Sequence, residues 1–124
     1  MVIPMDKIRS NNNGFTLIEI MIAILILVVA LLGMAGVTVS VINGNAFSKE
    51  VTSATTLAQD KMEELKNTAY GSIVSGSDTD SIYSRTWAVT PDSPIADTKT
   101  VEVTVSWSRG GNTHNITLKT IVAQ

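Results

Sequence analysis

No charged residue occurs between Glu19 and Lys49, and the segment between them is almost wholly apolar. Residues 20–42 read as a helix spanning about 34 Å at ~1.5 Å per residue, close to the ~30 Å hydrocarbon core of a bilayer. Lys7 and Arg9 precede this segment, and the positive-inside bias keeps that end in the cytoplasm. A secretory signal carries its small-residue cleavage site after the apolar core. Here the small residue at a polar boundary, Gly14, comes before it, so cleavage at Gly14/Phe15 leaves the apolar helix in the mature chain.

Residues 14–19 read Gly-Phe-Thr-Leu-Ile-Glu, after a polar, cationic stretch containing Lys7, Arg9, Asn11, Asn12 and Asn13. Thr16-Leu-Ile-Glu19 fits a capping box, and an anion is favoured at a helix N-terminus. A charge this close to hydrocarbon is nevertheless expensive, at least about 2.5 kcal/mol at the bilayer centre and less near the interface. The six-residue string followed by the apolar run resembles the N-terminus of type IV prepilins and pseudopilins. The resemblance implies cleavage after Gly14 by a prepilin peptidase on the cytoplasmic face, N-methylation of Phe15, and a Glu19 that pairs with the Phe15 amine of a neighbouring subunit during assembly. Met5 gives an acceptable short leader as well as Met1.

Gly33 and Gly36 interrupt the apolar run, and Val37, Thr38, Val39, Val41 and Ile42 add weak helix propensity. This is a zone that can bend. Gly36, Ser40 and Gly44 also fall at i, i+4 and i+8, a small-residue ridge for close helix packing, and the sequence does not separate the two readings. From Phe47 the pattern turns amphipathic: Val51, Ala54, Ala58, Met62, Leu65 and Ala69 recur at helical spacing. Lys49, Glu50, Asp60, Lys61, Glu63, Glu64 and Lys66 fill polar positions, and the acids read as a solvated flank with no metal site. Ala58–Leu65 resembles both PilV-type minor pilins and I-type minor pseudopilins, while Leu31-Leu32-Gly33-Met34-Ala35-Gly36 leans towards PilV.

Residues 69–80, rich in Gly, Ser, Thr and Asp, read as a loop. Strands are expected over Ile82–Thr90, Thr100–Trp107 and His114–Val122. The middle one alternates Val101, Val103, Val105, Trp107 against Glu102, Thr104, Ser106. Pro91-Asp92-Ser93-Pro94 marks one turn and Arg109-Gly110-Gly111-Asn112 a hairpin. Trp87 and Trp107 are expected in the helix–sheet core, and His114, the sole histidine, as a solvated turn residue. The Asn115-Ile116-Thr117 sequon is discounted because it falls within a strand.

The expected fold is α+β and pilin-like: a long N-terminal helix, transmembrane and then amphipathic, packed on a small three-stranded antiparallel sheet. Its parts are a leader (1–14), a transmembrane and assembly helix (15–42), an amphipathic helix (43–69) and a C-terminal β domain (70–124). There is no cysteine, so no disulfide and no thiolate metal site. Without the leader's Asp6, Lys7 and Arg9 the chain has 7 basic and 10 acidic residues, a net −3. That charge gives no footprint for nucleic acid. No catalytic motif or cofactor site is present.

The function implied is a minor type IV pilin, a structural subunit that enters or primes a pilus. An I-type pseudopilin of type II secretion is the nearer rival and a pilus-borne adhesin or DNA-uptake subunit the further one. The implied partners are the peptidase and other pilins, contacted through their N-terminal helices. The implied location is the inner membrane, with a periplasmic C-terminal domain, and then the pilus or cell surface.

Overall fold

The computed structural model describes Val2 and residues 13–124. Most of the expected leader, with Lys7, Arg9 and both candidate start residues Met1 and Met5, lies outside the described residues. One helix, α1, runs without a break over Leu17–Asn67. A single 3-10 turn at Tyr70–Ser72 leads into β1 (Gly76–Asp80), β2 (Tyr83–Pro91), β3 (Thr98–Arg109) and β4 (Asn112–Ala123). The chain divides into two compact units, residues 1–42 and 43–124.

In the first unit, α1 is long and apolar enough to cross a membrane, and none of its apolar window is buried. It stays helical through Gly33 and Gly36. Thr38 Oγ1 donates to Met34 O at 2.9 Å and Ser40 Oγ to Gly36 O at 3.1 Å, so these hydroxyls are satisfied locally by the preceding turn rather than left facing hydrocarbon.

In the second unit, the amphipathic stripe meets the sheet. Ala54, Ala58, Met62 and Leu65 are buried, with Val51 packed beside them. Ala69 lies past the end of α1 and is exposed. The four strands lie in the order β1-β2-β3-β4, all antiparallel. Val101, Val103 and Val105 of the inner strand β3 are fully buried, and Trp107 continues their row. The neighbours in register are half-buried: Trp87 opposite Val103, Val89 opposite Val101, Leu118 opposite Val103 and Ile116 opposite Val105. Alternating side chains thus put one apolar face on the helix and a Thr- and Ser-rich face outward.

Direction is fixed at both ends. Lys99, early in β3, donates to Tyr70 O and Ile73 O just beyond the helix C-terminus. Trp107 and Arg109, late in β3, donate to Glu50 near the start of this unit. β3 therefore runs antiparallel to the helix it covers. The hairpin at Gly110 and Gly111 has φ of +58° and +81°, the pair of positive values that a two-residue type I′ turn needs.

The sheet has one strand more than the sequence leads one to expect. β1 lies inside the segment 69–80 read as a loop, and none of its five residues is apolar apart from Gly76. Its partner strand holds it. Gly76 pairs with Trp87, and Asp78 with Arg85. The Trp87 ring lies so close across Gly76 that a Cβ there would stand 2.6 Å from Cζ2, and Trp87 Nε1 donates to Val74 O at 3.0 Å. Replacing Gly76 with Ala forces the indole off the strand, so Gly76→Ala is expected to cost about 1–3 kcal/mol, the usual penalty for overpacking. Tryptophan-monitored thermal unfolding should show a lowered Tm, with Ser77→Ala, at an exposed site, close to wild type.

Candidate functional site

The N-terminal segment enters α1 through Gly14, Phe15 and Thr16, which lie outside the helix. Thr16 caps it: its Oγ1 accepts the Glu19 backbone N–H at 3.3 Å, and its carbonyl accepts the Ile20 N–H at 3.2 Å. Half of the expected capping box is therefore formed, and it is the half that fixes where the helix begins. Among the described residues, no heavy atom lies within 4 Å of the place a Cβ on Gly14 would occupy. Phe15 is 79% exposed.

Phe15, Glu19 and Ala23, spaced by four, share one face of this end and line a shallow apolar groove with Ile20, Ile24 and Leu27. Among the described residues no cation pairs with the Glu19 carboxylate. Gly33, Gly36 and Gly44 likewise face open space, and Ser40 is exposed. Helix, cap and acid are thus assembled, while the apolar surface around them is uncovered.

Two polar clusters in the second unit were not foreseen. In the first, Arg85 forks onto Asp78 with Nε–Oδ1 and Nη2–Oδ2 both at 2.6 Å. Lys61, only 6% exposed, sits 2.9 Å from Glu64 and 3.5 Å from Asp78, with its ammonium 4.1 Å from the Trp87 ring centroid. By its charge Lys61 belongs to the polar flank expected above, yet it is buried. Its spacing, three after Ala58 and four before Leu65, places it on the core stripe, and that spacing was the available signal. Trp87, expected in the core, packs at its edge between Gly76 and this lysine.

In the second cluster, Glu50 accepts Trp107 Nε1 at 3.1 Å and Arg109 Nη1 at 2.7 Å, and its backbone carbonyl accepts the Tyr83 hydroxyl at 3.3 Å. Trp107 fills the core as expected, 3% exposed. His114 is not the solvated turn residue expected. It is half-buried, edge-on to Phe47 at 5.1 Å and 5.6 Å from the Trp107 ring, because its register opposite Trp107 turns it to the helix face. Asn115 lies in β4. Asp60, Glu63 and Glu64 form no metal cluster, and among the described residues no group of three or more acids and His is placed to hold one.

The family model of the prokaryotic N-terminal methylation motif matches residues 9–35. The chain carries that motif. Comparison with curated proteins and with solved structures finds no match. The motif supports a type IV prepilin-like protein, and with it processing by a prepilin peptidase and assembly with other pilins; together with the apolar α1 it fits an inner-membrane anchor.

The Arg85 fork, more than any other contact, holds the Asp78 carboxyl below its ordinary value against the opposing effect of partial burial, and Lys61 adds to the lowering. A depressed carboxylate stabilises the fold fully above its unfolded value of about 3.9 and loses that contribution as pH falls through the lower folded value. Asp78→Asn is therefore expected to lower Tm at neutral pH and to flatten the loss of stability below about pH 4. Thermal unfolding of the two proteins at a series of pH values checks both.

Proposed function

We propose that this chain is a minor type IV pilin of PilV type, a structural subunit cleaved after Gly14, methylated on Phe15 and then built into a pilus or used to prime one. The observation that carries this reading is the Gly14–Glu19 string, inside the methylation motif, at the mouth of a helix whose apolar half none of the described residues covers. In this reading the mature chain is residues 15–124: residues 15–42 anchor and assemble, residues 43–69 carry the stripe under the sheet, and residues 70–124 present the head.

Cleavage creates an amine at Phe15, four residues from Glu19. In surroundings of low dielectric an acid and an amine on separate subunits attract far more strongly than in water, and an unpaired carboxylate there is costly. A neighbour whose Phe15 amine reaches Glu19 relieves that cost, which makes the pair a selector for correct subunit entry. The ridge of Gly36, Ser40 and Gly44 lets helices approach closely once the acid has chosen its partner. Glu19→Ala is expected to leave membrane insertion and cleavage intact while lowering the amount of this protein recovered with filaments. Equal recovery of variant and wild type would remove the role of Glu19.

The reading as a whole is tested by mass spectrometry of filaments sheared from the cell surface. N-methylated Phe15 as the first residue in that fraction is the expected result. The mature form found only in the envelope would favour an I-type pseudopilin of type II secretion, which the Ala58–Leu65 string also resembles. A chain that still carries its first 14 residues would overturn the prepilin reading.

A further inference from the structure

β4 forms one side of the sheet, and among the described residues no strand pairs with its outer edge. Its register with β3 runs from Arg109–Asn112 to Thr98–Ala123 without a bulge. Arg109 and Asn112 flank the two-residue Gly110-Gly111 turn, so they exchange both backbone bonds. The alternation of an antiparallel ladder then turns the N–H and C=O of Thr113, Asn115, Thr117, Lys119 and Ile121 to the open edge. Such a row is a template for a further strand unless it is defended. The opposite edge is defended: β1 has five residues, two of them Asp78 and Asp80. β4 has twelve residues, with one lysine, no acid and no proline. On its helix side Ile116, Leu118 and Val122 are only half-buried, which leaves apolar surface open along the edge.

We propose that the open edge of β4 takes an extended segment of a partner protein as a fifth strand, antiparallel as β3 is. The inference rests on the head alone. β3 shows what that segment must be, because it is the strand that β4 already accepts on its other edge. It puts Val101, Val103 and Val105 on the helix side and Glu102 opposite Lys119, at 3.6 Å, on the outer side. A segment with apolar residues at alternate positions continues the core beside Ile116 and Leu118, and an acid on its outer side meets Lys119. In strand addition of this kind the backbone bonds give affinity and the alternate side chains give specificity. A second β4 fits less well, since it carries no acid for Lys119.

The probe is a fluorescein-labelled peptide with the sequence of Thr98–Arg109, titrated against the full chain in detergent and followed by anisotropy. Placed on the open edge with its valines toward the helix, it offers β4 the backbone groups that β3 gives β2, those of Glu102 and Thr104 among them. Saturable binding is expected, weakened at least about tenfold by backbone N-methylation at the peptide's Glu102 and Thr104 and little changed by N-methylation at its Val103 and Val105. Thr117→Pro removes one N–H at an edge position where proline is tolerated, and it is expected to weaken binding while Thr117→Val binds as wild type does. No binding to the wild-type chain would overturn the proposal, and so would binding blind to which peptide edge is methylated. Sedimentation of the chain as a dimer that Thr117→Pro dissociates would also overturn it, giving the edge to a second copy.

Discussion

The contact on which the head depends is the close approach of α1 to β3 where Ala54 and Ala58 meet the row of Val101, Val103 and Val105, all of them with no exposed surface. Small side chains on the helix let the β-branched row of the strand sit directly against it, and each buried valine is worth about 1.5–3 kcal/mol relative to an exposed one. A head this small, without cysteine, has no other large reservoir of stability. The helix is therefore one wall of the core rather than a stalk to which a finished domain is attached. Residues 43–124 form a compact unit that includes the end of that helix.

Around the apolar contact the charged residues act as clamps. Glu50 holds β3 near the start of the unit through Trp107 and Arg109. Lys99 holds the segment beyond the helix C-terminus by donating to Tyr70 and Ile73 carbonyls. Lys61, Asp78 and Arg85 hold the outer hairpin, which has too little apolar surface to hold itself. Since Asp78 and Arg85 face each other across one strand pair and Lys61 reaches Asp78 from the helix, the network ties α1, β1 and β2 together.

The same helix has two solvents. Its second half buries one stripe against protein, whereas its first half exposes apolar residues on every side, a surface suited to lipid or to other helices. That division gives the methylation motif its physical context: Thr16 starts the helix, and Glu19 stands at the edge of the apolar run. The motif is confined to residues 9–35 and shares no residue with the buried core between α1 and the sheet.

The long apolar helix, its amphipathic continuation and the β3–β4 hairpin were legible because each follows from a local rule. An unbroken apolar run, a stripe at spacings of three and four, strict alternation and a Gly-Gly turn each specify a structure within a few residues. The Gly14–Glu19 string is legible as a string too, and it falls inside the matched motif. Strand β1 was not, because its place comes from Trp87 lying on Gly76 and Arg85 gripping Asp78, both contributed by another strand. The burial of Lys61 and of His114 was hidden for a related reason: charge and turn position argue for solvent, and only the register of strands and helix brings Trp87, Asp78, Phe47 and Trp107 around them. Sequence by itself determined the long helix, its amphipathic stripe, the strands β2 to β4 and the end of the chain that carries the methylation motif; tertiary structure decided that β1 forms and which polar residues lie between the elements, since only packing sets what a side chain faces.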